Sequence, residues 1–148
     1  MGTLVIRWTE QRDIEKILEI EKLSFQSPWD ITTFQSILSD EECYNISAVY
    51  DGQVAGYCFA QIMRKMVHLL NLAVHPDFQQ KGIGRALVNE IISFARLSNK
   101  SYVFLEVRKS NSIAQALYAS MGFTHVFSWR RYYSDTGEDA SIMAKKIE

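Results

Sequence analysis

The sequence has few of the features that mark secreted, membrane-spanning or metal-binding proteins. It contains only two cysteines, Cys43 and Cys58, which are isolated and match no metal-ligand spacing. Cysteine use of this kind is typical of a reducing compartment. Residues 1–8 show no signal-peptide pattern, and no apolar run approaches the length needed to cross a membrane. We therefore expect a soluble, cytoplasmic protein without a metal site.

Neither sign of charge predominates in the chain. Its 16 basic and 17 acidic side chains give a formal net charge of −1, which disfavours a broad nucleic-acid-binding surface. No repeat, low-complexity tract or linker interrupts the 148 residues. We expect one domain, 1–148, that buries roughly two-thirds of its unfolded surface, as a monomer or weak dimer without direct contacts to nucleic acid or membrane.

The hydrophobic pattern predicts an α/β fold, a mixed sheet covered by helices. Helical spacing is found in four segments and β-rich runs in seven. The predicted helices are 13–25, 30–38, 83–94 and 111–121, and the predicted strands are 3–8, 44–50, 53–63, 69–74, 102–108, 123–133 and 140–146. Asp51-Gly52 is a hairpin signal between two of these strands.

Residues 75–87 join a strand end, a polar turn with two glycines and a helix start. Unpaired backbone N–H groups and the positive end of a helix dipole make such a junction an anion site. Gly82 and Gly84 allow the backbone to approach the anion closely, and Lys81 and Arg85 would add positive charge at the rim. The alternative is a glycine-bearing turn that only caps a core helix.

Three kinds of phosphate-binding loop can be compared with this stretch. A Walker loop needs Gly-Lys-Ser/Thr after a first glycine and four further residues, and the sequence has no such run. A dinucleotide-binding loop needs a third glycine, which is missing here. The remaining pattern, Gln79-x-x-Gly82-x-Gly84, resembles the pyrophosphate loop of the GNAT N-acetyltransferases, which bind acetyl-coenzyme A (acetyl-CoA).

Glu106 interrupts an otherwise apolar strand, where alternation places it on the same face as Arg108. It is either paired with Arg108 or kept for a function. The helix that follows the loop crosses over between strands 69–74 and 102–108, which predicts that they are parallel neighbours. Both strands would end beside the anion loop, where open α/β sheets bind ligands, and we therefore favour a functional carboxylate.

Three further polar residues are candidates for the same region. Asn111 and Tyr118 are two helical turns apart and share a face, with the small Ala114 between them. Tyr118 is then a candidate proton donor, although a lone tyrosine is more often a buried aromatic with a wet hydroxyl. Asn71 is either a satisfied core amide or marks a bulge that frees a backbone N–H to polarise a carbonyl.

Taken together, these segments resemble the GNAT family from about Leu4 to Ile147. The matching segments are Leu70–Pro76, Gln79–Gly84, Leu105–Arg108 and Asn111–Phe123. The resemblance implies a mixed, mostly antiparallel sheet of six or seven strands with one splayed parallel pair, flanked by about four helices. It also implies acetyl-CoA as the cosubstrate of an N-acetyltransferase.

The chain most resembles the RimI type within that family, which acetylates the N-terminal alanine of a small-subunit ribosomal protein. Pro28-Trp29, the run Arg130–Tyr133 and the run Gly137–Ala140 carry this narrower likeness, and they are also similar to archaeal and eukaryotic N-terminal acetyltransferases. Ser134 stands where relatives carry proline, in a short turn. Because that loop helps to receive the acceptor, the identity of the acceptor peptide stays open.

The resemblance also implies roles for individual residues. Glu106, acting through water, would deprotonate the acceptor amine, and Tyr118 would protonate the departing thiolate of coenzyme A. The Leu72 N–H would hold the thioester oxygen. The implied cofactor-binding residues are Leu72, Ala73, Val74, Gln79, Gln80, Lys81, Gly82, Ile83, Gly84, Arg85, Asn111 and Tyr118, and the implied acceptor-binding residues are Pro28, Trp29, Asn71, Tyr132 and Tyr133.

The acceptor amine can be weighed by its pKa. An α-amine has a pKa near 7.8 and lysine one near 10.4, so deprotonating lysine at neutral pH costs about 3.5 kcal/mol more. A single carboxylate acting through water suits the α-amine. Neither cysteine has a context that activates it, so we expect direct transfer without an acyl-enzyme. The alternatives are acetylation of a small amine such as a polyamine or aminoglycoside, and a non-catalytic module that binds acetyl-CoA.

Overall fold

The computed structural model describes residues 2–148, which form a seven-stranded sheet with helices on both faces. The strand order is β1-β2-β3-β4-β5-β7-β6. The strands are β1 (Leu4–Trp8), β2 (Cys43–Tyr50), β3 (Gln53–Ile62), β4 (Met66–Val74), β5 (Tyr102–Arg108), β6 (Thr124–Trp129) and β7 (Ala140–Lys146), and the helices are α1 (Ile14–Ser24), α2 (Ile31–Leu38), α3 (Ile83–Leu97) and α4 (Ser112–Ser120). No helix in this part of the chain is long and apolar enough to cross a membrane.

The sheet is antiparallel except where β4 meets β5. Those two strands pair in parallel at only three positions, from Met66 opposite Tyr102 to His68 opposite Phe104. Beyond these residues β4 and β5 separate, although each strand continues toward the same edge of the sheet. The predicted mixed sheet with one splayed parallel pair and four helices is therefore confirmed.

A bulge in β4 changes which side chains reach each face of the sheet. Leu70 has no partner on β3, because the register skips it. Before the bulge, Val67 and Leu69 belong to the core beneath α3. After it, Asn71 and Ala73 point to the opposite face, toward α1. In an unbroken strand these four side chains would share one face, so the bulge alone brings Asn71 to the α1 side.

Local sequence signals explain most element boundaries. The Asp30 side chain accepts from the Thr33 N–H and caps α2, and the Asn111 side chain accepts from the Ala114 N–H and caps α4. Asp51 and Gly52 both have positive φ at the β2–β3 hairpin, as a two-residue primed turn requires.

The predicted strand 123–133 was too long. β6 ends at Trp129, and residues 130–139 form a loop between β6 and β7. Arg131 adopts a positive φ of 53° just after the strand, which turns the chain out of the sheet. Arg108 on β5 then binds Asp135 and Glu138 of this loop. Tyr132 and Tyr133 therefore lie on a loop that these ion pairs attach to β5.

Candidate active site

The start of α3 presents backbone N–H groups to the solvent without a side-chain cap. Gly82 occupies the N-cap position in the left-handed conformation, with φ of 78°, and no side chain accepts from the first turn of this 15-residue helix. The first four N–H groups of a helix have no acceptor within it. They point, with the positive end of the helix dipole, into the loop that follows β4. This arrangement fits the anion site predicted for residues 79–85.

Gly84 is not required by the packing of the fold. A Cβ atom added there would meet Leu117 at 3.5 Å and Val74 at 3.9 Å, which are ordinary contacts. The absence of a side chain at this position therefore leaves room for something outside the protein. At the rim, the Lys81 ammonium lies 5.4 Å from the centre of the Tyr50 ring, and Arg85 donates to the Ser120 hydroxyl at 2.8 Å.

A cleft of about 240 Å³ opens where β4 and β5 separate. Most of its wall comes from the separated strands, from α4 and from the two loops that flank them. The predicted site residues that line it are Trp29, Asn71, Leu72, Glu106, Asn111, Tyr118 and Tyr133. Glu21, Arg108 and Leu70 also line it and were not predicted as site residues.

The other predicted residues lie outside the cleft wall. Ala73 is buried against α1, so only its backbone is available to a ligand. Val74 leads from the cleft toward the loop 79–85 at the start of α3. Pro28 is exposed beside Trp29, and Tyr132 reaches the site through its hydroxyl group.

The Glu106 carboxylate is held by a histidine that the sequence analysis did not identify. The Nε2 atom of His68 lies 2.9 and 2.7 Å from the two carboxylate oxygens, and the His68 ring stacks on Phe104 with 4.3 Å between centroids. The Tyr132 hydroxyl donates to the same carboxylate at 3.3 Å. The Glu106 side chain keeps 16% of its surface exposed. It is thus oriented by two partners and still open to the cleft.

Tyr118 is suited to donate a proton at neutral pH. Only 6% of the residue is exposed. Burial, reinforced by the nearby Cys58 and Tyr133, raises the pKa of its hydroxyl well above the ordinary value. The group therefore stays protonated. Its ring packs edge-on against Phe123, 5.7 Å between centroids, which fixes its place beside the cleft.

Neither thiol is prepared to act as a nucleophile. Cys58 is fully buried, and burial raises the pKa of its thiol. Burial, followed by the charge of Asp40, raises the pKa of Cys43 to about 11. Thiols with raised pKa values hold little of the reactive thiolate at neutral pH. These environments agree with direct transfer.

Arg108 organises the loop between β6 and β7 rather than pairing with Glu106. It binds both oxygens of Asp135, at 3.0 and 2.7 Å, and one of Glu138 at 3.2 Å. Its hydrogen bonds, helped by Ser27, hold the pKa of Asp135 well below its usual range. The guanidinium carbon also lies 4.0 Å from the centre of the Tyr133 ring. The alternative ion pair between Glu106 and Arg108 is therefore not formed.

Asp135 also joins the two loops that flank the cleft. The Ser27 hydroxyl, in the loop between α1 and α2, donates to it at 2.7 Å. The loop that carries Trp29 and the loop that carries Tyr132 and Tyr133 thus meet above the cleft.

Among residues 2–148 no group of three or more His, Cys, Asp or Glu side chains could hold a metal ion.

The fold and the cleft define a class of protein. Residues 14–123 match the Acetyltransferase (GNAT) family, and the chain belongs to this family. The bS18-alanine N-acetyltransferase of Escherichia coli K12 is 36% identical over 140 residues, which cover 93% of this chain and 94% of that protein. An N-alpha-acetyltransferase of Sulfurisphaera tokodaii is 33% identical, covering 96% of this chain and 92% of that protein.

A solved structure shows the same relationship in three dimensions. The crystal structure of the ribosomal-protein-S18-alanine N-acetyltransferase from Escherichia coli matches this chain with a TM-score of 0.92 at 35% identity. The match covers 99% of this chain and 95% of that one. The splayed β4–β5 pair and the helices around it therefore belong to an architecture already seen in an N-terminal acetyltransferase.

Proposed function

We propose that this chain transfers the acetyl group of acetyl-CoA to the α-amino group of a protein N-terminus, and that the acceptor is the N-terminal alanine of ribosomal protein S18. The relatives named for that reaction match more than nine-tenths of this chain. The observation in the structure that carries the proposal is the cleft itself. Its lining includes a carboxylate, Glu106, and a protonated phenol, Tyr118.

Acetyl-CoA is bound mainly by backbone groups in this proposal. Its pyrophosphate lies on the free N–H groups of the first turn of α3, with Gln79–Arg85 around it. The pantetheine arm follows the edge of β4 at Leu72–Val74, which β5 leaves unpaired. The thioester then reaches the cleft, where the Leu72 N–H polarises its carbonyl.

The transfer step uses the two residues in the cleft wall. Glu106, through a water molecule, takes the proton from the acceptor ammonium group. The neutral amine nitrogen attacks the thioester carbonyl carbon, a C–N bond forms and the C–S bond breaks. Tyr118 gives its proton to the departing sulfur, and the second proton that the nitrogen loses as the amide forms passes to solvent water, from which the Tyr118 phenolate is reprotonated. His68 holds the Glu106 carboxylate in place from the neighbouring strand.

The charges around the cleft favour a peptide over a polycationic small amine. A polyamine or aminoglycoside usually needs several free carboxylates. Of the three acidic residues of the loop between β6 and β7, Asp135 and Glu138 are bound by Arg108, and Asp139 accepts from the backbone N–H of Arg131. The aromatic residues Trp29, Tyr132 and Tyr133 flank the entry instead. These contacts suit the first residues of a polypeptide.

Mass spectrometry of a peptide mixture tests the proposal. Peptides that start with alanine and carry an internal lysine are incubated with the protein and acetyl-CoA, together with the same peptides blocked at the α-amine and with a set of polyamines and aminoglycosides. We expect one acetyl group on the free α-amine and none on the blocked peptides. Acetylation of only the small amines, or of no acceptor at all, would contradict the proposal.

A further inference from the structure

Glu21 on α1 is a buried carboxylate that the proposed chemistry does not use. It is only 1% exposed, yet it lines the bottom of the cleft. One carboxylate oxygen accepts from the Asn71 amide at 2.8 Å and from the Tyr57 hydroxyl. The other accepts from the backbone N–H of Trp29 at 2.9 Å. Glu21 therefore connects α1, two strands of the sheet and the loop between α1 and α2.

A carboxylate in this position is costly unless its oxygens are well satisfied. No lysine, arginine or histidine of the described residues forms an ion pair with Glu21. Its three hydrogen-bond donors compensate for the missing cation, because donors to a charged acceptor bind more strongly than donors to a neutral one. A neutral polar side chain could not accept three donors in the same way.

Two partners of Glu21 belong to different parts of the proposed site. Asn71 directly precedes Leu72, whose N–H is proposed to polarise the thioester, and it faces Glu21 only because of the bulge at Leu70. Trp29 belongs to the loop proposed to receive the acceptor. The opposite side of that loop is tied to Asp135 through Ser27. This loop is therefore attached at two points, because its Trp29 N–H donates to Glu21 and its Ser27 hydroxyl donates to Asp135.

We propose that Glu21 is a positioning residue, which holds the acceptor loop at Trp29 against the bulged strand at Asn71 and so sets how tightly the acceptor peptide binds. The inference rests on the proposed function, since it assigns the acceptor to this side of the cleft. Glu21 does not touch the reacting atoms and takes no proton. Its effect is on acceptor binding.

Glu21→Gln tests this role because the amide keeps the shape of the side chain but has one acceptor oxygen and an NH₂ group in place of the other. That NH₂ group must face a donor, either Trp29 or the pair Asn71 and Tyr57. We expect the KM for an alanine-starting peptide to rise about tenfold. The KM for acetyl-CoA and the shape of the pH–kcat profile should not change.

Asp13→Asn is the matched control. Asp13 is also buried, at 3% exposure, and lies just before α1, but it binds Arg7 outside the cleft. We expect this substitution to lower the melting temperature without changing the peptide KM. A tenfold rise in the peptide KM in both variants would mean that Glu21 acts only through general stability, and would overturn the proposal.

A second measurement reads the contact without any activity. In protein labelled with ¹⁵N-tryptophan, the backbone amide of Trp29 is assigned by its loss in Trp29→Phe. We expect slow exchange of this amide in the wild type and exchange at least about tenfold faster in Glu21→Gln, while the Trp8 and Trp129 amides stay unchanged. An unaltered Trp29 amide would overturn the proposal.

The two measurements also separate this inference from the proposed function. If the wild type acetylates no peptide, the proposed function fails, while Trp29 exchange still tests the contact with Glu21. If Glu21→Gln does not fold, Asn71→Leu is measured instead, since this substitution removes one hydrogen-bond donor to Glu21 and keeps the carboxylate. We then expect the peptide KM to rise about threefold, and an unchanged peptide KM would overturn the proposal.

Discussion

The two ends of the cleft are built in different ways. At the cofactor end the proposed contacts come from the backbone, through the uncapped first turn of α3 and the unpaired edge of β4. At the acceptor end they come from side chains that meet across the fold. Glu21 binds Asn71 from 50 residues away, and Arg108 binds Asp135 from 27 residues away. Cofactor binding therefore depends on local conformation, and acceptor binding depends on tertiary contacts.

Changes at one end should therefore leave the other end intact, and changes where the ends meet should stop the reaction. Glu106 lies at that meeting point. We expect Glu106→Gln to lower kcat by about 100- to 1000-fold, since it removes the base but keeps the shape of the side chain. Steady-state kinetics with saturating peptide measure this. The Kd for acetyl-CoA by calorimetry should be unchanged, and full activity at neutral pH would remove the role of Glu106.

The cofactor end can be disrupted alone with Gly84→Glu. The new carboxylate would sit in the first turn of α3, where it interacts favourably with the helix dipole but repels the pyrophosphate. We expect acetyl-CoA affinity to fall on the order of 100-fold by calorimetry, with no loss of thermal stability. Asn89→Glu makes the same charge change farther along α3, on an exposed face, and should bind acetyl-CoA normally. Equal affinities in both variants would contradict the anion site.

Tyr118 connects the two ends through the leaving thiolate. We expect Tyr118→Phe to lower kcat by at least about tenfold at every pH. In the wild type, burial raises the tyrosine pKa above its ordinary value near 10. A proton donor is lost only when the pH exceeds its pKa, so kcat should stay level from pH 7 to about pH 10. A fall in kcat near pH 8 that is absent in Tyr118→Phe would contradict this assignment.

Substitutions at the acceptor end should have smaller effects, and they should change only the KM for the peptide. Asp135→Asn removes the charge of one of the two carboxylates that bind Arg108 and loosens the link to Ser27. We expect the peptide KM to rise about fivefold, with the acetyl-CoA KM unchanged. Asp40→Asn, at an exposed position outside the cleft, is the control for the loss of a surface charge. A parallel rise in the KM for acetyl-CoA would show that the two ends are not independent.

The same contrast explains what the sequence could predict. The starts of the helices predicted at residues 30 and 111, where Asp30 and Asn111 cap α2 and α4, and the Asp51-Gly52 hairpin depend on a few neighbouring residues, and the structure has them where the sequence predicted. The alternation of side chains along a strand was enough to predict that Glu106 and Arg108 share one face of β5. These features depend on local conformation and need no knowledge of the fold.

The residues that were missed depend on register and long-range contact. His68 meets Glu106 because three parallel pairs align β4 with β5, and that alignment cannot be derived from either strand alone. Glu21 looks like any acidic residue of an amphipathic helix until the bulge at Leu70 turns Asn71 toward it. β6 is shorter than predicted because Arg108 binds Asp135 and Glu138 and so holds the following residues in a loop outside the sheet.

Hydrogen exchange of the wild-type protein with and without acetyl-CoA tests the central claim most directly. We expect acetyl-CoA to slow exchange at the backbone amides of residues 82–85 and 72–74, and to leave the acceptor loop at residues 25–30 unchanged until peptide is added. Protection confined to other segments, or no protection at saturating acetyl-CoA, would contradict the account of a cofactor held by the backbone at the start of α3.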